Sequence, residues 1–167
     1  TFAFASRANL VAPGEVDGNG GTDTISMTAP VTLGSGDFAN VTSVETLQLT
    51  GASTVTLGAD AATAGIVNIV TGAGTTGITD ANGVALSVDA TALADDLTLT
   101  LAGSAARTVT GVRGDLAASG VSGALNVTTV AVASGLSVVA GSGPNTITAT
   151  ALTAGQALTL TGSSAAT

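Results

Sequence analysis

The sequence has no cysteine, histidine, lysine, tryptophan or tyrosine, and each absence removes a class of function. Without histidine it lacks the side chain most often used to move protons near neutral pH. Without cysteine and lysine it lacks two of the usual covalent nucleophiles, and its many serines have no evident partner base. The only cations are Arg7, Arg107 and Arg113, against a net charge of −8. A nucleic-acid backbone demands clustered positive charge, so nucleic acid is excluded as a partner. The aromatic girdles of a transmembrane β-barrel are missing. Threonine, serine, asparagine or glycine interrupts every apolar run before the roughly twenty residues that a membrane-spanning helix needs. Only three phenylalanines are present, too few to line a sugar-stacking groove. The chain shows no signal peptide. Its abrupt opening on Thr1-Phe2-Ala3-Phe4 and close on Ala165-Ala166-Thr167 read as a segment of something longer.

What remains is aliphatic and small. Hydrophobic residues make up 45% of the chain and aromatics 2%, which is too apolar for a disordered segment. A core without rings must be thin and layered, as in stacked β-coils. Valine and threonine favour strands because branching at Cβ suits a pleated surface. Strand-like runs recur at Val44–Leu49, Thr54–Leu57, Ile66–Val70, Thr76–Thr79, Val84–Val88, Leu97–Leu101, Thr108–Val112, Leu125–Val132, Leu136–Val139, Asn145–Thr148 and Leu158–Thr161. Their spacing of roughly ten residues is that of short strands separated by turns. Alternation such as Leu97-Thr98-Leu99-Thr100-Leu101 puts leucine on one face and threonine on the other. The expected fold is all-β: a parallel β-solenoid with β-roll-like repeats. The alternative is a β-sandwich repeat array, for which Asn82-Gly83 supplies a hairpin signal. Short helical turns are expected over Phe38–Val44, with Asp37 as N-cap, and over Asp115–Gly120.

A longer repeat overlies this pattern. Residues 90–108 align without gaps on 149–167, an offset of 59, with 11 identities over 19 positions. The chain therefore divides into a lead-in over residues 1–36 and a threonine-, alanine- and valine-rich array over 37–167, whose second 59-residue copy is truncated.

The most specific local signal is Asp17-Gly18-Asn19-Gly20-Gly21-Thr22-Asp23-Thr24-Ile25. It resembles the calcium-binding nonapeptide G-G-x-G-x-D-x-U-x of RTX proteins, with Asn19 at the second glycine position. Glycines let backbone carbonyls turn inward, an aspartate completes an oxygen cage for a hard cation, and the apolar residue begins a strand. Asparagine tolerates left-handed backbone, so the substitution preserves the turn. Thr1-Phe2-Ala3-Phe4 is similar to the strand that closes RTX blocks. Phe38-Ala39-Asn40-Val41-Thr42-Ser43-Val44-Glu45-Thr46-Leu47 with Leu49-Thr50-Gly51 is similar to stretches of large RTX-containing bacterial surface proteins exported by the type I pathway. The resemblance implies an extracellular, cell-surface or secreted location and a structural role of the adhesin, S-layer or biofilm-matrix kind. It also implies calcium-assisted folding through Asp17, Asn19 and Asp23, with Gly18, Gly20 and Gly21 shaping the turn. Partners would be further copies or neighbouring repeats of the same protein, or cell-surface polysaccharide.

Other polar residues carry weaker signals. Asp80, Asn82 and Asp89 flank the Asn-Gly turn and make a second cation-turn candidate. Asp95-Asp96 read as a turn between Leu93 and Leu97, Asp60 and Asp115 as turn or cap residues, and Glu45 as the anchor of a turn or a cation. Thr-x-Thr pairs at 54/56, 98/100, 108/110, 146/148 and 159/161 would form a glycan- or ice-binding surface only if they stack on one flat face. The functional expectation is a non-enzymatic structural segment.

Overall fold

Period-two alternation resolves into two parallel sheets facing each other across a thin aliphatic core. A computed structural model describes residues 1–12, 14–132, 135–149, 152 and 155–162. The chain is an all-β parallel solenoid of about seven turns, with very little helix. One sheet collects β1 (Phe2–Phe4), β3 (Thr24–Met27), β6 (Thr46–Gln48), β8 (Asn68–Val70), β10 (Leu86–Asp89), β12 (Arg107–Val112), β14 (Leu125–Thr129) and β16 (Asn145–Thr148). The facing sheet collects β4 (Thr32–Leu33), β7 (Thr54–Leu57), β9 (Gly77–Asp80), β11 (Thr98–Gly103), β13 (Asp115–Val121), β15 (Leu136–Val139) and β17 (Leu158–Thr161). Each coil adds one strand to each sheet, and the register advances by about twenty residues per coil. Two short strands, β2 (Val16–Asp17) and β5 (Val41–Thr42), pair along a third side of the first coils. Two short helices, α1 (Arg7–Leu10) and α2 (Ala59–Ala64), complete those wider N-terminal coils.

Parallel in-register stacking turns alternation into continuous ladders. Inside the first sheet, Phe2, Ile25, Leu47, Ile69, Val88, Val109, Val127 and Ile147 follow one another coil by coil. In the second, Leu99, Leu116 and Val138 do the same, and the ladder ends on Leu160, exposed in the last coil. The inward positions are buried almost without exception along the middle of the stack. The 59-residue sequence match carries β11 onto β17, three coils away. The ladder from Leu99 arrives at Leu160 rather than Leu158, a two-residue slip that keeps the same face inward. Parts of that match, Thr150, Ala151 and residues 163–167, lie outside the described residues.

The structure corrects several expectations. All pairings are parallel, so Asn82-Gly83 turns a solenoid corner and makes no hairpin. Asp115–Gly120 is extended, within β13, where β11 and β15 offer ladder partners on both sides and Leu116, Ala118 and Val121 are buried. The pairing overrides the helical leaning of Asp-Leu-Ala-Ala. Asp115 instead accepts the backbone N–H of Ser137 one coil on, at 2.8 Å. Phe38–Val44 forms no helix. Asp37 is no N-cap: its carboxylate turns back to the Gly34 N–H at 2.7 Å and to Arg7, leaving Phe38 to fill the core. The α2 helix was invisible in the pattern because Ala-Asp-Ala-Ala-Thr-Ala has no apolar period. Its signal was Gly65, which ends it in left-handed conformation.

Two ion pairs pin the stack. In the first coil α1 stands where later coils place a strand of the second sheet, with Leu10 fully buried and Ser6 accepting the Asn9 N–H as N-cap. Arg7 of α1 donates to both Asp37 oxygens at 2.7 Å. The Arg7 guanidinium holds the Asp37 carboxyl below its ordinary value of 3.8, against the opposing effect of burial. The second pair is wholly enclosed. Arg107 occupies an inward ladder position between Leu86 and Leu125, and Asp80 one in line with Leu57. Their side chains are 0% and 1% exposed and meet at 3.1 Å. The guanidinium also donates to the carbonyls of Val84, Ala102, Ala105 and Ala106, while its Nε has no partner among the described residues. Gly103 makes room for it: a Cβ there would sit 2.1 Å from Nη2.

Two outcomes follow from these pairs. Removing one partner strands a buried charge, so Arg107→Leu or Asp80→Leu alone should cost about 3–5 kcal/mol, and the double substitution less than either. Urea midpoints test this. A double variant losing the sum of the two singles would show that the pair is uncoupled. For Asp37, a depressed folded pKa means stability present above the ordinary carboxyl range and lost as pH falls through the folded value. Urea unfolding across acid pH should therefore show a steeper loss below 3.8 for the native chain than for Asp37→Asn.

Candidate functional site

The Gly/Asp turn links β2 to β3 at the N-terminal end of the stack. It is built on the coil beneath: the Gly18 N–H donates to the Thr42 carbonyl at 3.0 Å, continuing the β2–β5 pairing. Backbone approach there is so close that a Cβ on Gly18 would lie 1.9 Å from the Ser43 carbonyl oxygen. Asp17 closes the turn by accepting the Asn19 N–H at 2.8 Å. Asn19 is left-handed (φ 58°), and Gly21 is also at positive φ. Gly20 and Gly21 face open space.

Asp23 ends the turn with its backbone fixed from the next coil. Its N–H donates to Glu45 Oε2 at 2.8 Å, and its carbonyl accepts the Thr46 N–H at 3.0 Å. One carboxylate oxygen lies 3.4 Å from the Thr1 amino group. Glu45 is thus the anchor of this turn, as its reading as a turn or cation anchor expects, and it acts from the next coil. The exposed Asp17 and half-buried Asp23 bracket a loop rich in backbone carbonyls. Carboxylate, amide and carbonyl oxygens are the donors a hard cation prefers, and in that respect the turn fits calcium. Among the described residues no group of three or more acidic, histidine or cysteine side chains gathers. A cation here would draw the rest of its shell from Asn19, main-chain carbonyls and water.

The second candidate turn is arranged differently. Asp80 gives one oxygen to the Asn82 N–H at 2.9 Å and the other to Arg107. Asp89 stands at the far end of β10 and accepts from the Thr91 N–H and hydroxyl, at 3.0 and 2.6 Å. Asn82 is exposed. The three are held by separate local bonds. Asp95-Asp96 occupy a turn, and Asp95 lies 3.9 Å from Arg113. Sequence reasoning missed Arg107 and Asp80 as a core pair, although the signal was present in the parity of the strands. Arg107 falls on the same alternation as Val109, and Asp80 on that of Ile78.

The Thr-x-Thr pairs divide between opposite faces. Those at 54/56, 98/100 and 159/161 lie on one sheet and those at 108/110 and 146/148 on the other, so they do not build one surface. The longest outward polar row mixes residue types: Thr24, Thr46, Asn68, Ser87, Thr108, Asn126 and Thr146. A cavity of about 280 Å³ opens at the N-terminal end, walled by Phe2, Phe4, Leu10 and Val16, with Glu15 as its acidic residue. Among the described residues no helix is long and apolar enough to cross a membrane.

Comparison with protein-family models, with curated proteins and with solved structures returned no match.

The close packing at Gly18 makes a direct test. Gly18→Ala should destabilise the chain by about 1–3 kcal/mol, because the new methyl must displace the Ser43 backbone. Gly20→Ala, which meets open space, should cost less. Equal denaturant midpoints for the two variants would contradict this geometry.

Proposed function

We propose that this chain is a structural segment of a secreted bacterial cell-surface protein, of the adhesin or S-layer-like kind, in which calcium at the Asp17–Asp23 turn assists folding or assembly. The observation that carries the reading is the uninterrupted stack. Two parallel sheets share one aliphatic interior, and the outward rows are mostly small, polar and uncharged. Such a stack sets distance and stiffness between whatever lies at its two ends.

The calcium reading draws support from the backbone of the turn. Asn19 and Gly21 take the left-handed bends that the nonapeptide's glycines permit, Gly18 leaves room for the Ser43 carbonyl, and Glu45 fixes Asp23 in place. Calcium would be held by Asp17, Asn19, Asp23 and main-chain carbonyls. A cation that binds only the folded state adds stability by mass action, about 2.7 kcal/mol at a hundredfold excess over Kd.

A far-UV circular dichroism melt with excess calcium and with chelator tests this. Calcium should raise the melting temperature of the native chain, and Asp23→Asn should abolish the rise. Superimposable melts with and without calcium would reject the cation and leave a metal-free β-spacer.

A further inference from the structure

We propose that Asn82 is a site of spontaneous covalent modification, converting to isoaspartate and aspartate through a cyclic imide formed with Gly83, and that this reaction loosens the Asp80–Arg107 core pair. Asn82 and Gly83 are both exposed at the corner between β9 and β10. Neither the Asn82 carboxamide nor the Gly83 N–H has a hydrogen-bond partner among the described residues. Gly83 carries no side chain to shield its amide nitrogen.

The chemistry needs only water. The Gly83 amide nitrogen attacks Cγ of Asn82, a C–N bond forms, and Nδ2 leaves as ammonia with the displaced proton. Water then opens the five-membered imide. Cleavage at the side-chain carbonyl gives aspartate on the original main chain. Cleavage at the main-chain carbonyl gives isoaspartate, with the chain rerouted through Cβ and Cγ. The net change is amide plus water to carboxylic acid plus ammonia, without oxidant or cofactor.

Other asparagines are protected. Asn9, Asn40, Asn68, Asn126 and Asn145 are each followed by a bulky or β-branched residue. The carboxamides of Asn40 and Asn145 are also tied to backbone carbonyls. Asn19 precedes Gly20, but its carboxamide, unlike that of Asn82, donates to the Asp17 carbonyl, and the residue is held in a left-handed turn.

Position 82 has a structural consequence that a surface loop elsewhere would lack. The Asn82 N–H donates to the same Asp80 carboxylate that meets Arg107. Isoaspartate inserts an extra atom into the main chain beside that bond and adds a negative charge two residues from a buried ion pair.

The test is to hold the intact chain at mildly alkaline pH and body temperature, then map peptides by mass spectrometry with fragmentation that separates isoaspartate from aspartate. Conversion at position 82 is expected to exceed that at Asn19 and at every other asparagine several-fold. The melting temperature should fall with age in the native chain and stay constant in Asn82→Gln. Conversion at 82 no faster than at Asn126, or slower than at Asn19, would overturn the assignment of the site. An equal decline in the Asn82→Gln variant would overturn its link to the core pair. The peptide map uses the unaltered chain, so it decides the first point even if the variant fails to fold.

Discussion

The constraint on which everything else rests is that no coil can satisfy its own backbone. A strand of two to seven residues has its hydrogen-bonding partners only in the coils before and after it. Stability is therefore a property of neighbours, passed along the stack through ladders such as Phe2 to Ile147. Two requirements follow for the sequence. Each strand must keep its alternation in phase with the next, because a one-residue slip would turn leucines outward. Each corner must also be narrow enough for backbone to pass over backbone, as at Gly18 above Ser43.

A repetitive sequence invites the wrong register, since one aliphatic ladder fits another almost as well. The inward-facing charges break that degeneracy. Arg107 can leave its slot between Leu86 and Leu125 only by abandoning Asp80 and four backbone carbonyls. Buried ionic groups seldom add net stability over well-packed apolar ones, but they penalise alternatives heavily. At the N-terminal end Arg7 and Asp37 tie α1 to the turn after the first strand of the second sheet, with only the carboxylate buried.

Most of the solenoid was legible because period two is a strong local signal. The runs around Val55, Ile78, Leu99, Val109, Val127 and Val138 all became strands. What was not legible depended on neighbours. Asp115–Gly120 looks helical in isolation and is extended only because β11 and β15 flank it. Asp37 looks like a cap, and only the position of Arg7, thirty residues earlier, reveals its partner. The turn around Asn19 was legible in its backbone, since glycine spacing dictates conformation. Glu45 reads as an anchor in the sequence, but which turn it holds was not legible, because that contact crosses coils.

The orientation of the hydrogen bonds has a mechanical meaning. They run from coil to coil, along the axis of the stack, while the strands run across it. Tension entering at one coil and leaving at another loads these bonds one row after the next, so the stack peels coil by coil instead of shearing as a block. Each released coil lengthens the tether by its whole contour and lowers the force on the coils that remain. The enclosed Asp80–Arg107 pair, which ties one coil to the next through side chains as well as backbone, is the place where such peeling would pause.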